Sequence, residues 1–307
     1  MIGFIFPGQG SQSVGMGRDL AEALLEAGEA LGAIEEALDF DLRGIMFEGP
    51  PDALTATQNA QPAILAHSAA VLAVLSARGI RADLVAGHSL GEYSALVGAY
   101  LPATLAAQFV RVRGKLMAEA GATVGGTMAA VLGLDASELE RAVAAAGEVG
   151  TVVVANYNCP GQLVISGTQA AVARAGELAK EAGAKRVLPL PVSGAFHSPL
   201  MAPAAAALAP HLDALPLADG CVPLISNVDA LPRTKGEEIR EALKKQVTGS
   251  VLWESGIRKM VEMGVDTFVE VGPGKVLTGM VSRIDPSVRA LATGTVEGID
   301  AVCAALA

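Results

Sequence analysis

The pentapeptide Gly87-His88-Ser89-Leu90-Gly91 fits the pattern G-x-S-x-G, with a strand pattern before it and a helix pattern after it. That context puts a serine on a tight turn between small residues and presents its hydroxyl at a helix N-terminus. Ser89 is the candidate nucleophile. The plainer alternative is an ordinary strand-to-helix turn that contains a serine. A serine hydroxyl is a weak nucleophile at neutral pH and needs a base. The chain has 4 histidines. His88 adjoins the serine, where neighbouring side chains diverge. His67 lies inside an apolar helical run and reads as structural. His211 follows Pro210 in an Ala/Leu-rich stretch that says little. His197 lies in the loop Ser193-Gly194-Ala195-Phe196-His197-Ser198-Pro199, just after a strand. Loops at strand ends collect catalytic groups. From the residues alone, His197 is either that base or a surface loop histidine.

Attack on a carbonyl also needs donors aimed at the developing oxyanion. The amide after the nucleophile, that of Leu90, supplies one. The glycine-bearing loop Phe6-Pro7-Gly8-Gln9-Gly10-Ser11-Gln12 can bring up a second. That loop is no dinucleotide fingerprint, since Ser13 stands where the third glycine belongs, and Gly272-Pro273-Gly274-Lys275 lacks P-loop spacing. Arg113 is oddly placed. On the helix predicted over 105–119, Leu105, Phe109, Val112 and Leu116 cluster within roughly 60°, Ala106, Val110 and Met117 extend the apolar stripe, and Arg113 falls inside it, roughly 40° from Phe109. An inward arginine cannot shed its charge and needs an anionic partner. That partner is either an internal acid, with snorkelling as the bland variant, or a substrate carboxylate bound bidentately.

The elements that position these groups alternate between strand and helix. Ile2–Phe6, Leu84–Ala86 and Phe268–Val271 read as buried strands. Gln61–Ala77, with Pro62 at its start, Gly91–Leu101 and Leu105–Glu119 read as helices. This alternation implies an α/β fold with a mostly parallel sheet covered on both faces. The middle differs. Strands Met128–Leu132, Val152–Ala155, Leu163–Ser166 and Arg186–Leu190 interleave with helices Ser137–Ala146 and Ala170–Ala182, in the βαββαβ order of a ferredoxin-like unit. The turn Asn158-Cys159-Pro160-Gly161 separates its second and third strands. The expected division is a core of residues 1–123 and 194–307 around an inserted small domain of residues 124–193.

Composition sets the outer bounds. The chain has 307 residues, 51% hydrophobic and 18% charged, enough for a large core and too apolar for disorder. Its net charge of −10 argues against general binding to nucleic acid or anionic membranes. Three cysteines without a CxxC pair exclude a disulfide framework and a cysteine zinc site. The first residues carry no signal-peptide pattern, and no uninterrupted apolar run reaches membrane-spanning length. The expectation is a soluble cytoplasmic enzyme.

With these residues assembled, the chain resembles the malonyl-CoA:acyl carrier protein transacylases over nearly its whole length. The likeness rests on Phe6-Pro7-Gly8-Gln9-Gly10-Ser11-Gln12, Gly87-His88-Ser89-Leu90-Gly91-Glu92-Tyr93-Ser94-Ala95 and Arg113-Gly114-Lys115-Leu116-Met117. It continues through Asn156-Tyr157-Asn158-Cys159-Pro160-Gly161-Gln162, Gly194-Ala195-Phe196-His197-Ser198 and Glu270-Val271-Gly272-Pro273-Gly274-Lys275-Val276-Leu277. The resemblance implies a hydrolase-like α/β core with a ferredoxin-like insertion. It implies Ser89 as nucleophile, His197 as base, and the amides of Gln9 and Leu90 as oxyanion hole. It implies Arg113 on the malonyl carboxylate, Asn156 and Asn158 near the thioester arm, and Phe196 against α-branched acyl groups. The histidine of that family is oriented by a main-chain carbonyl, and Gln246 stands at that position. The implied reaction is ping-pong transfer of malonyl from malonyl-CoA to the thiol of acyl carrier protein, as in fatty-acid synthesis, with no cofactor. This chain reads Gly249-Ser250-Val251-Leu252-Trp253 where the family often has Asn-Pro-Val-x-Trp, and Cys159 where Ser is common. A carrier is acidic, so the basic stretch Arg233–Lys245, with Arg240 and Lys244 on one helical face, is the expected docking patch. Two rivals stand beside this reading. A serine esterase or thioesterase needs an acidic third member, for which Asp135 has the right chain order. A nucleotide-binding protein needs the missing glycine.

Overall fold

The computed structural model describes residues 1–192 and 194–306. Its larger sheet is built on β1 (Ile2–Phe6), β2 (Leu84–Gly87), β7 (Leu224–Ile225), β8 (Pro232–Arg233), β9 (Thr267–Glu270) and β10 (Arg289–Ala292), in the order β10-β9-β1-β2-β7-β8. All neighbours are parallel except β7 and β8. Every residue of β2 and β9 is buried, as central strands covered on both faces must be. Phe6 pairs with Gly87, so the loops after β1 and β2 leave the sheet side by side. They are wedged together. A Cβ on Gly8 would lie 2.4 Å from the His88 carbonyl oxygen, and one on Gly91 would lie 2.0 Å from that of Phe6. No residue but glycine fits either place.

The smaller sheet comprises β3 (Thr127–Leu132), β4 (Val152–Cys159), β5 (Gln162–Gly167) and β6 (Arg186–Pro189), antiparallel throughout in the order β4-β5-β3-β6. Helices Ala136–Ala146 and Gln169–Glu181 pack on it around a core that includes Val131, Leu139, Val154 and Ile165. The fold is thus α/β, a mostly parallel hydrolase-like core carrying a ferredoxin-like unit. β4 runs past the expected end at Ala155 to Cys159, with irregular register at Val154/Asn156 and Tyr157/Cys159. Its outer edge carries a further partner. The Tyr157 amide donates to the Val251 carbonyl at 2.9 Å, and the Val251 amide to the Ala155 carbonyl at 2.8 Å. The extension pairs with β5, Asn156 opposite Val164, Tyr157 opposite Leu163 and Cys159 opposite Gln162, and the distant segment at Val251 ties its other edge.

Three further expectations are corrected. The first long helix spans Thr57–Ala77, with Pro62 inside it rather than at its start. Proline cannot donate to the Gln58 carbonyl one turn back, and Arg111 Nη1 donates to that oxygen instead, at 2.7 Å. The helix expected over 91–101 stops at Ser94. Gly98 turns to φ 82°, and the Leu96 carbonyl accepts from both Tyr100 and Leu101, closing the chain into a turn. On the helix Ala103–Val124 the buried face keeps Ala106, Phe109, Val110, Arg113 and Met117 of the predicted stripe and adds Gly114, while Leu105 is exposed and Val112 and Leu116 are only half-buried. Small residues let this helix approach the first one closely: a Cβ on Gly114 would lie 2.7 Å from the Gln58 Cα. Arg113 consequently sits near the middle of the buried face.

Thr57–Ala77 is long and apolar enough to cross a membrane, but 78% of its most apolar window is buried inside the protein. His67 lies in it, fully buried, with neither ring nitrogen hydrogen-bonded among the described residues. Burial pushes its pKa down from 6.5 to about 4. As pH falls below 6.5 the unfolded chain takes up this proton before the folded one, so the stabilisation is full above 6.5 and lost toward 4. His67→Leu should therefore gain relative to the wild type by up to about 1.4 kcal/mol per pH unit within that interval, read from urea titrations at several pH values. A pH-independent difference would show that His67 does not titrate in this way.

Candidate active site

Ser89 follows β2 and precedes the helical turn Gly91–Ser94. Its φ is 52°, a left-handed conformation that costs a non-glycine residue roughly 1–3 kcal/mol. The turn is held from below. The Ser89 amide donates to Asn227 Oδ1 at 2.7 Å, and Asn227 Nδ2 donates to the Gly87 carbonyl at 2.6 Å. The Ser89 carbonyl accepts from Gln246 Nε2 at 2.8 Å. A Cβ on Gly87 would lie 1.9 Å from the Gly91 carbonyl carbon, which explains the outer glycines of the motif.

His197, also left-handed at φ 57°, brings Nε2 to 2.7 Å from Ser89 Oγ. Its Nδ1 lies 3.0 Å from the Gln246 carbonyl and 3.1 Å from that of Gly249. Two carbonyl acceptors require the proton on Nδ1, which leaves the Nε2 lone pair on the serine. Neither partner is a carboxylate. Burial, reinforced by the Arg113 charge, pushes the imidazole pKa down to about 3.

Arg113 is only 1% exposed. Nη1 donates to Gln61 Oε1 at 2.8 Å and Nη2 to Gln246 Oε1 at 3.0 Å, with Ser89 Oγ 3.5 Å from Nη2. The Tyr93 ring lies 5.1 Å from the guanidinium carbon. Among the described residues no carboxylate reaches ion-pair distance of Arg113, and its Nε has no partner. Desolvation lowers its pKa, but a guanidinium remains cationic. Behind it, Gln246 Nε2 also donates to the buried Glu92 carboxylate at 2.8 Å. Burial pushes that group up to about 7.

These groups meet in one cavity of about 370 Å³. Gln9, Ser89, Leu90, Arg113, Asn156, Asn158, Phe196 and His197 all line it, with Met117, Met128 and Met280 on its apolar side. Gln246 lies behind the wall, fully buried. The Asn158 side-chain oxygen is 2.8 Å from His88 Nε2, and the His88 ring packs against Trp253. Asn227, Glu92 and Gln61 escaped the sequence reading. Asn227 follows a short parallel strand, a position where site residues gather, and Gln61 is a polar residue within an apolar run. Four of the five cations of the expected basic patch are already engaged. Arg233 pairs with Asp229, Lys235 with Asp219, and Lys244 with both Asp213 and Glu241. Arg240, 13% exposed, donates to the carbonyls of Leu212, Asp213 and Leu215 and so caps the helix Ala202–Ala214. Its role is structural, because the carbonyls at that helix end lack internal partners. Among the described residues no cluster of three or more His, Cys, Asp or Glu could hold a metal.

Residues 3–298 match the acyl transferase domain family. The chain belongs to the acyltransferase family. This acyltransferase is 48% identical over 301 residues to the malonyl CoA-acyl carrier protein transacylase of Bacillus subtilis, covering 97% of this chain and 95% of that one. It is similar to the crystal structure of an acyl-carrier-protein S-malonyltransferase from Bartonella henselae, with TM-score 0.96 at 44% identity over 99% of each chain. A type II polyketide-synthase acyl-carrier protein in complex with its malonyl-transacylase also matches, with TM-score 0.96 at 39% identity over 99% of both chains.

A serine facing a neutral imidazole, beside a fixed cation, is suited to nucleophilic attack on a carbonyl that carries an anionic group nearby. Because burial holds the imidazole neutral far below 6.5, the base should persist into acid. Labelling of Ser89 by a fluorophosphonate probe should therefore hold its rate as pH falls through 6.5. A rate that falls with a midpoint at 6.5 would mean that His197 titrates as an ordinary histidine.

Proposed function

We propose that this acyltransferase moves a malonyl group from malonyl-CoA to the phosphopantetheine thiol of acyl carrier protein through a malonyl-serine. The observation that carries the reading is the 2.7 Å contact of Ser89 Oγ with His197 Nε2 in the cavity that Arg113 also lines. His197 takes the Oγ proton as oxygen attacks the thioester carbonyl. The oxyanion rests on the amides of Gln9 and Leu90, both in the cavity wall. Collapse expels the coenzyme A thiolate, which takes the proton back from His197. The carrier thiol then gives its proton to His197, attacks malonyl-serine and releases Ser89 by the same steps reversed. Arg113 holds the malonyl carboxylate, Asn156 and Asn158 flank the thioester arm, and the Gln246 carbonyl fixes the histidine tautomer. Phe196, buried in the wall, limits room at the acyl α-carbon, where one methyl is worth about 1–3 kcal/mol. Every proton and charge in this scheme is handled by side chains and amides of the chain, so malonyl-CoA enters as substrate and no cofactor is invoked.

The esterase reading loses its support because the two acceptors on Nδ1 are carbonyls, and Asp135 stands at the head of a helix of the small unit. The domain limits we favour remain 1–123 with 194–307 and an insertion at 124–193, and the setting we favour is the cytoplasm, where carrier and malonyl-CoA are consumed in fatty-acid synthesis. The names of the relatives supply the carrier as partner.

Intact protein mixed with malonyl-CoA should gain the mass of one malonyl group, and Ser89→Ala should gain none. Acylation of the Ala variant at the wild-type level would refute the assignment. Arg113→Ala should weaken malonyl transfer by roughly 2–4 kcal/mol, the scale of a charge-assisted bidentate contact in a desolvated site, and acetyl transfer far less. Equal losses in kcat/KM for malonyl-CoA and acetyl-CoA would make Arg113 structural.

A further inference from the structure

The proposed base and the proposed carboxylate-binding arginine share one neighbour, Gln246. All its side-chain polar atoms are engaged. Oε1 accepts from Arg113 Nη2 at 3.0 Å, while Nε2 donates to the Ser89 carbonyl and to Glu92 Oε2, each at 2.8 Å. Its main-chain oxygen accepts from His197. A side-chain amide is nearly symmetric in shape, so packing alone does not choose between its two orientations. Turned over, this one would set an NH₂ against the guanidinium and an oxygen against a carboxylate. The Ser89 carbonyl can only accept. Glu92, 1% exposed, presents the second acceptor, and the Asn227 amide steadies it at 3.4 Å from each oxygen.

We infer that Glu92 is a positioning residue: it fixes the Gln246 amide so that an oxygen faces Arg113, and so aims the guanidinium at a carboxylate-bearing acyl group. The inference rests on the reading of Arg113 as the partner of the malonyl carboxylate. A carboxylate touching Arg113 directly would occupy the place of the substrate. One held an amide away orients the amide and leaves that place open.

The test is steady-state transfer from malonyl-CoA and acetyl-CoA by Glu92→Met and Glu92→Gln. Glu92→Met, which has no comparable acceptor, should lose about tenfold or more in kcat/KM for malonyl-CoA, chiefly through KM, and less than about threefold for acetyl-CoA. Glu92→Gln keeps an acceptor oxygen at the same reach and should recover to within about threefold. Equal losses for both thioesters, or a Gln variant as impaired as the Met variant, overturn the inference. Should Glu92→Met not fold, Glu92→Asp, one methylene too short to reach Gln246, should show the same malonyl-selective loss. Wild-type protein that takes no malonyl group would refute the functional reading instead. The inference is then decided by side-chain amide NMR. Loss of exchange protection at Gln246 in whichever of the Met and Asp variants folds supports it, and unchanged protection overturns it.

Discussion

A buried guanidinium without a carboxylate beside it is the constraint on which this site depends. Transferring a charge from water into a protein interior is costly unless it is paired or fully hydrogen-bonded. Arg113 is served by two glutamine oxygens and an aromatic ring. Each of those neighbours is itself placed by an unusual local feature. Gln61 lies one residue before a proline in the middle of a helix. Gln246 ends the helix Gly236–Gln246, so its carbonyl is free of that helix and can serve His197. The serine, the histidine and the arginine thus come from separate elements and are joined through amide groups.

The second constraint is steric. The serine turn and the loop after β1 approach one another so closely that Gly8, Gly87 and Gly91 leave no space for a Cβ, and the helix that carries Arg113 meets the helix Thr57–Ala77 as closely at Gly114. Close backbone approach brings Gln9 and Leu90 into one cavity wall with Ser89. It also buries the histidine and keeps its imidazole neutral. The strain of two left-handed residues, Ser89 and His197, is sustained by hydrogen bonds around them, through Asn227, Gln246 and Gly249.

Most of the frame was legible in the sequence because it follows local rules. Buried strands, the βαββαβ order and the glycine spacing around Ser89 each carry their own pattern. Arg113 stood out because a charge interrupted an apolar stripe, although Leu105 at one edge of that stripe is exposed. What escaped depends on distant partners. Pro62 reads as a helix start until Arg111 is seen on the carbonyl it leaves free. Asn158-Cys159 reads as the start of a turn, yet β4 runs on through both beside β5, with the distant segment at Val251 on its other edge. Arg240 reads as a free surface charge until the end of another helix lies against it. Glu92 lay within a motif already in view, but its burial and its contact with Gln246 arise only when helices far apart in sequence converge.

The pairing of β4 with the segment around Val251 reaches beyond the fold itself. Gly249 supplies one of the two carbonyls on His197, and the next two residues are tied to β4: Ser250 Oγ donates to the Val154 carbonyl at 2.7 Å, and the Val251 amide to Ala155. The small sheet therefore continues, strand by strand, into the support of the His197 imidazole. It is not an interchangeable module. A chimera that grafts the insertion from a relative carries a foreign β4 edge against a native 249–251 segment, and any mismatch in register there is transmitted to the histidine. The compatible unit of exchange is the small sheet together with those three residues, which makes β4 and a stretch some ninety residues further along the chain a single inherited part.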